Sequence, residues 1–126
     1  MSHFVAIKTS VRDVNALRKA CDELGLELLE KGTARGYAKN KIKGDYVIRL
    51  KGPYDIAVNL DKETGSYGFT TDWWDGHVEK EAGTGYAKLL QLYAVHKTQI
   101  EARKKGLSCK RQSLADGSVK IMIGGL

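Results

Sequence analysis

The chain has 126 residues, of which 42% are hydrophobic, 29% charged and 8% aromatic, with one proline and a formal net charge of +6. That length suits a single domain spanning residues 1–126, and the composition excludes a disordered chain or a collagen-like repeat. No apolar run reaches the roughly 18 residues of a membrane helix, so membrane insertion is not expected.

Residues 3–9 read as a first strand, with Val5 and Ile7 on one face of a period-2 pattern. Ser10 is the expected N-cap of a helix, with Asp13 three residues on as a weak capping box. Val14, Leu17, Cys21 and Leu24 recur at helical spacing with Ala20 on the same stripe, and Gly25 closes the helix in left-handed geometry. Residues 27–31 read as a short extended segment, ambiguous at Leu28 and Leu29. Three antiparallel strands follow at residues 46–50, 54–60 and 66–71. Their connections are too short for parallel crossovers, so they form a meander.

The loop Asp72-Trp73-Trp74-Asp75-Gly76 leads to a second helix with Thr84 as its expected N-cap. Its stripe runs through Tyr86, Leu89 or Leu90, Tyr93 and Ile100, with His96 beside it, and Gly106 is the stop. Residues 107–113 and 118–123 are strands around the hairpin dipeptide Asp116-Gly117. Two amphipathic helices on one face of an antiparallel sheet make an α+β two-layer sandwich, ferredoxin-like as the nearest common architecture, with a C-terminal hairpin.

Charge is segregated along the chain. Residues 31–51 carry a net +6, residues 52–81 a net −5 and residues 97–111 a net +5. Kept apart by the fold, such blocks make a dipolar surface suited to charged partners; the plain alternative is solvated faces that maintain solubility.

Arg35-Gly36-Tyr37 followed by Lys39, Lys41 and Lys43 joins cations to an aromatic ring. Cations neutralise phosphates and tyrosine stacks on exposed bases, so single-stranded RNA is a candidate ligand; the alternative is a flexible basic loop. Trp73 and Trp74 stand side by side. One indole is expected in the core and the other at a contact surface. His3, His77 and His96 have no His or Cys companion at metal-ligand spacing, so no metal or cofactor is expected. Cys21 lies on a core stripe, where thiols are inert. Gly83-Thr84-Gly85 lacks both the phosphate-loop lysine and dinucleotide spacing. No catalytic constellation stands out, and a small enzyme built on His96 and a nearby acid is the third choice.

Several segments in order carry a resemblance. They are Met1-Ser2-His3-Phe4, Ile7-Lys8-Thr9, Arg35-Gly36-Tyr37, Tyr46-Val47-Ile48-Arg49, Tyr54-Asp55-Ile56, Asp72-Trp73-Trp74, Gln91-Leu92-Tyr93-Ala94 with His96, and Asp116-Gly117-Ser118-Val119. Together they resemble the uncharacterised cyanobacterial and algal-plastid family called hypothetical chloroplast frame thirty-five (domain of unknown function twelve fifty-seven). The resemblance implies a cytoplasmic or plastid-stromal accessory factor that works with other proteins, and it supplies no catalytic residues. The run from Lys39 to Lys43 is more basic than that family implies. The expectation is a non-enzymatic binding or adaptor protein with a protein partner. Its contact candidates are Arg35, Tyr37, Trp73, Trp74 and His96; the alternative is nucleic-acid binding through segments 31–51 and 97–111.

Overall fold

Val14, Leu17, Ala20 and Cys21 do share one stripe, and that stripe is what pins the first helix to the sheet. In the computed structural model, which describes residues 3–125, strand β1 (Phe4–Lys8) leads into helix α1 (Val14–Glu23). Met1 and Ser2, which open the first family-like segment, lie outside the described residues. Strands β2 (Glu27–Arg35), β3 (Lys41–Arg49), β4 (Ile56–Leu60) and β5 (Tyr67–Asp72) follow. A short helix α2 (His77–Ala82) and a long one, α3 (Ala87–Lys104), precede a terminal hairpin of β6 (Ser108–Ser113) and β7 (Val119–Gly124).

The main sheet has five strands in the order β1-β5-β4-β3-β2, and every neighbouring pair is antiparallel. Helices α1 and α3 cover one face. Leu17 and Cys21 of α1 and Leu89 and Tyr93 of α3 share one core with Ile48, Ile56, Val58 and Phe69 of the sheet. The architecture is the α+β two-layer sandwich, with the hairpin as a separate small sheet.

The glycine stops act as the sequence predicts. Gly25 (φ +72°) and Gly106 (φ +71°) take left-handed geometry. The following amides close the ends, Leu26 N–H on the Cys21 carbonyl at 2.8 Å and Leu107 N–H on the Ala102 carbonyl at 2.9 Å.

The helix starts differ from expectation. Asp13, not Ser10, caps α1, its side chain accepting from the Asn15 and Ala16 amides at 2.9 and 3.2 Å. Asp and Ser rank alike as caps, and Asp13 sits one residue before the first helical position, where its carboxylate can reach those amides. Thr84 caps no helix: its hydroxyl donates to Glu79 Oε1 at 2.7 Å. Gly83 (φ +86°), Gly85 (φ +59°) and Tyr86 (φ +66°) break the chain between α2 and α3, so α3 begins only at Ala87.

The larger correction concerns residues 27–45. In place of a short extended segment and a loop, β2 and β3 make a long hairpin joined by a 3₁₀ turn at Tyr37–Lys39. Near the base, Leu28 and its register partner Ile48 face the helices. Toward the tip, the pair Ala34 and Ile42 faces the other way and packs with Val47 and Ala57. All four base and tip residues are at even positions, so the hairpin turns its faces over between its two halves. Lys31 (φ +53°) and Gly32 (φ +151°) lie at that change. Gly44 is required there too, since a Cβ would collide with the Tyr46 carbonyl oxygen and stand 3.3 Å from Ala57 Cα. The tip therefore curls over the sheet face that the helices leave open.

An aromatic and carboxylate cluster under the hairpin tip

Asp55 precedes β4 and Asp72 ends β5, and both side chains are buried beneath the curled tip. A buried carboxylate has to be met by donors. Asp55 receives Arg35 Nε on Oδ2 at 2.8 Å, Arg35 Nη2 on Oδ1 at 2.8 Å and the Arg35 amide on Oδ2 at 3.0 Å. The Leu50 amide adds a bond at 3.3 Å, and Arg49 Nε stands 3.7 Å away. Burial alone would raise the Asp55 pKa, but the Arg35 side chain and amide outweigh it and hold the carboxyl below its ordinary value.

Asp72 ties two loops together through their backbones. Its Oδ2 accepts the Tyr37 amide at 3.0 Å and its Oδ1 the Trp74 amide at 2.9 Å. Gly36 lies between, and a Cβ there would come within 2.6 Å of Phe4 Cζ and 3.4 Å of Asp72 Cβ. Four segments distant in sequence thus meet at one end of the sheet: Phe4, Arg35-Gly36-Tyr37, Asp55 and Asp72-Trp73-Trp74.

The two indoles divide as their chemistry suggests. Trp73 is half-buried against the core, its ring 4.7 Å from Tyr86. Trp74 is 46% exposed and meets the 42% exposed Tyr37 edge to face, with ring centroids 5.6 Å apart. Lys39 shares Tyr37's turn, and Lys41 and Lys43 continue along β3. All three are exposed, and among the described residues none forms an ion pair.

Two candidates stand elsewhere in role or place. The Arg35 guanidinium is engaged by Asp55 and holds the site rather than facing a ligand. His96 belongs to the helical layer, where its Nε2 lies 2.8 Å from Glu23 Oε1. Glu23 is also gripped by Arg111, Nη1 to Oε1 and Nη2 to Oε2 both at 2.8 Å. The His96–acid pair is thus a three-element clamp joining α1, α3 and β6. The second basic block is partly neutralised as well, since Lys97 bridges Asp13 at 3.3 Å and Glu101 at 2.9 Å.

Sequence reasoning overlooked the holders, Asp55, Asp72 and Phe4, as site residues. A usable signal was present: each carboxylate sits at a strand end flanked by aromatic and β-branched residues, where an acid has to find internal donors. Among the described residues, no group of three or more His, Cys, Asp or Glu could hold a metal ion, and no helix is long and apolar enough to cross a membrane.

No solved structure matches the chain. It is similar to the "Uncharacterized protein ycf35" of Pyropia yezoensis, 27% identical over 125 residues covering 98% of this chain and 96% of that protein. The model of the family described as "Protein of unknown function (DUF1257)" matches residues 20–122, a span that takes in the hairpin, both buried aspartates and both tryptophans, and the chain belongs to that family.

Proposed function

We propose that this protein is a non-enzymatic binding or adaptor domain that contacts a partner protein through the Tyr37–Trp74 pair. The observation that carries this reading is the pair itself: two large exposed rings in contact, their backbones fixed by one buried carboxylate. Exposed aromatics on a rigid base lose little conformational entropy on docking, which is why Trp and Tyr dominate binding hot spots. Arg35 and Trp73 serve as supports, one through Asp55 and one through Tyr86. The cellular setting that accompanies this reading is the cytoplasm or a plastid stroma.

The test is a pull-down from native lysate with tagged wild type, Trp74→Ala and Tyr37→Ala. One specific partner recovered by wild type and lost by both variants, at unchanged thermal midpoint, supports the reading. No partner, or equal recovery by the variants, removes it.

A second reading is favoured by Lys39, which shares the turn of Tyr37, and by Lys41 and Lys43 on β3; among the described residues none of the three has a carboxylate partner. Rings for stacking beside cations for phosphates suit single-stranded RNA. Its titration separates the two: RNA affinity falls steeply between two salt concentrations if phosphates are bound.

A further inference from the structure

The terminal hairpin presents a surface remote in role from the aromatic pair. Strand β7 is paired to β6 along one side, and among the described residues no strand is paired along the other. The hairpin is held on the helical layer by Arg111 on Glu23 and by Gln91 Nε2 donating to the Gly117 carbonyl at 3.2 Å. A fixed, unpaired edge of β-branched residues is a template for another extended chain. Met122 and Ile123 remain 42% and 53% exposed.

Their placement says what such a chain should carry. Ile121 and Ile123 share a face of the strand, and Ile123 lines a cleft of about 250 Å³ with Thr98, Ala102 and Leu107, a lining that also includes Lys97, Glu101 and Lys105. The opposite face carries Lys120 and Met122, with Lys110 across the ladder from Met122. Among the described residues neither Lys110 nor Lys120 forms an ion pair, and the Glu101 carboxylate at the foot of the hairpin is engaged by Lys97 at 2.9 Å and Lys104 at 3.6 Å. One side of an added strand would meet Ile121 and Ile123, and the other side would meet Lys120, with Lys110 beyond it on the same face.

We propose that the free edge of β7 docks an extended segment of another protein that alternates apolar and acidic residues, added antiparallel or parallel as a third strand. The apolar residues lie beside Ile121 and Ile123 and the acids beside Lys120, with Lys110 one strand further away on the same face. A second copy of this chain fits less well, because self-pairing brings two copies of Lys120 onto one face.

The probe is an end-capped octapeptide of alternating valine and glutamate, titrated by fluorescence anisotropy. Its controls are the alternating valine–lysine peptide and the glutamate peptide with alternate amides N-methylated. The expected result is at least a tenfold preference for the unmodified glutamate peptide over both, with amide hydrogen exchange slowed at residues 119–124. Lys120→Glu lowers affinity at least tenfold, whereas Lys43→Glu and Trp74→Ala leave it unchanged, which separates this proposal from the aromatic-pair reading. Absence of binding at millimolar peptide, equal affinity for the lysine peptide, or exchange protection confined to other segments overturns it. So does a concentration-dependent dimer in sedimentation velocity that protects β7 without peptide.

Discussion

Arg35 grips Asp55 with two parallel hydrogen bonds of 2.8 Å, and through that grip the hairpin tip is locked onto the start of β4. The Asp55 side chain is fully buried while that of Arg35 is 40% exposed. Removing the arginine strands a buried charge, and removing the aspartate strands the donors that point at it. Arg35→Ala should therefore destabilise by about 3–5 kcal/mol, the range for leaving one charge of a buried pair without its partner, measured by urea denaturation. Because the folded state holds the Asp55 pKa below its unfolded value, its stabilisation is complete above about pH 3.9. It disappears as pH falls through the folded-state value.

The two tryptophans should respond unequally. Trp73 packs on Tyr86 and the main core, so Trp73→Ala should cost about 2–3 kcal/mol, somewhat under the range for full burial. Trp74 contacts Tyr37 at the surface, so Trp74→Ala should change stability by less than about 1 kcal/mol. Thermal unfolding of both variants checks the division. Equal losses would mean that the exposed pair is part of the core.

Sheet and helices were legible where apolar spacing was regular. The α1 stripe, the meander from residue 46 and both glycine stops follow from periodicity and turn chemistry alone. The β2–β3 hairpin was hidden because its outer half is rich in lysine and glycine, which carry little strand propensity. Its pairing is stabilised by tertiary contacts with Asp55 and Asp72, 20 and 35 positions from their partners Arg35 and Tyr37, and with Phe4 of the first strand. Local sequence cannot display such contacts. The exposed fate of Trp74 and the engaged state of Arg35 depend on the same fold-back, so the candidate residues were visible but their roles were not.

Gly36 and Phe4 form a close-fitting pair, since a Cβ on Gly36 would come 2.6 Å from Phe4 Cζ. Gly36→Ala should cost about 1–3 kcal/mol, the usual penalty for overpacking. Phe4→Leu should recover part of that loss in the double variant. A double-mutant cycle from urea titrations measures it, and a coupling energy above about 0.5 kcal/mol is expected for residues in contact.

Tyr86 holds the one buried side-chain polar atom among the described residues that has no hydrogen-bond partner, its hydroxyl. Its ring packs edge-on against Phe69 at 5.1 Å and tilted against Trp73 at 4.7 Å, and burial pushes the phenol pKa up. The ring supplies the packing and the hydroxyl only its desolvation penalty. Tyr86→Phe should stabilise the protein by about 1 kcal/mol, at the low end of the cost of an unsatisfied buried group, read as a rise in thermal midpoint.

Glu23 joins three elements, because one carboxylate serves Arg111 of β6 and His96 of α3 from the end of α1. The Arg111 hydrogen bonds hold its pKa at about 2, against an ordinary 4.5. A folded-state pKa below the unfolded one means that the contribution is whole above pH 4.5 and is lost as pH falls toward about 2. Glu23→Gln should flatten the stability profile across that interval while changing little in its shape above it. The same variant should loosen the hairpin before the sandwich, since Arg111 is its side-chain anchor to α1. Amide exchange accelerated by Glu23→Gln in residues 108–124 but not in β3 and β4 would show the clamp releasing; uniform acceleration would show that Glu23 supports the whole fold equally.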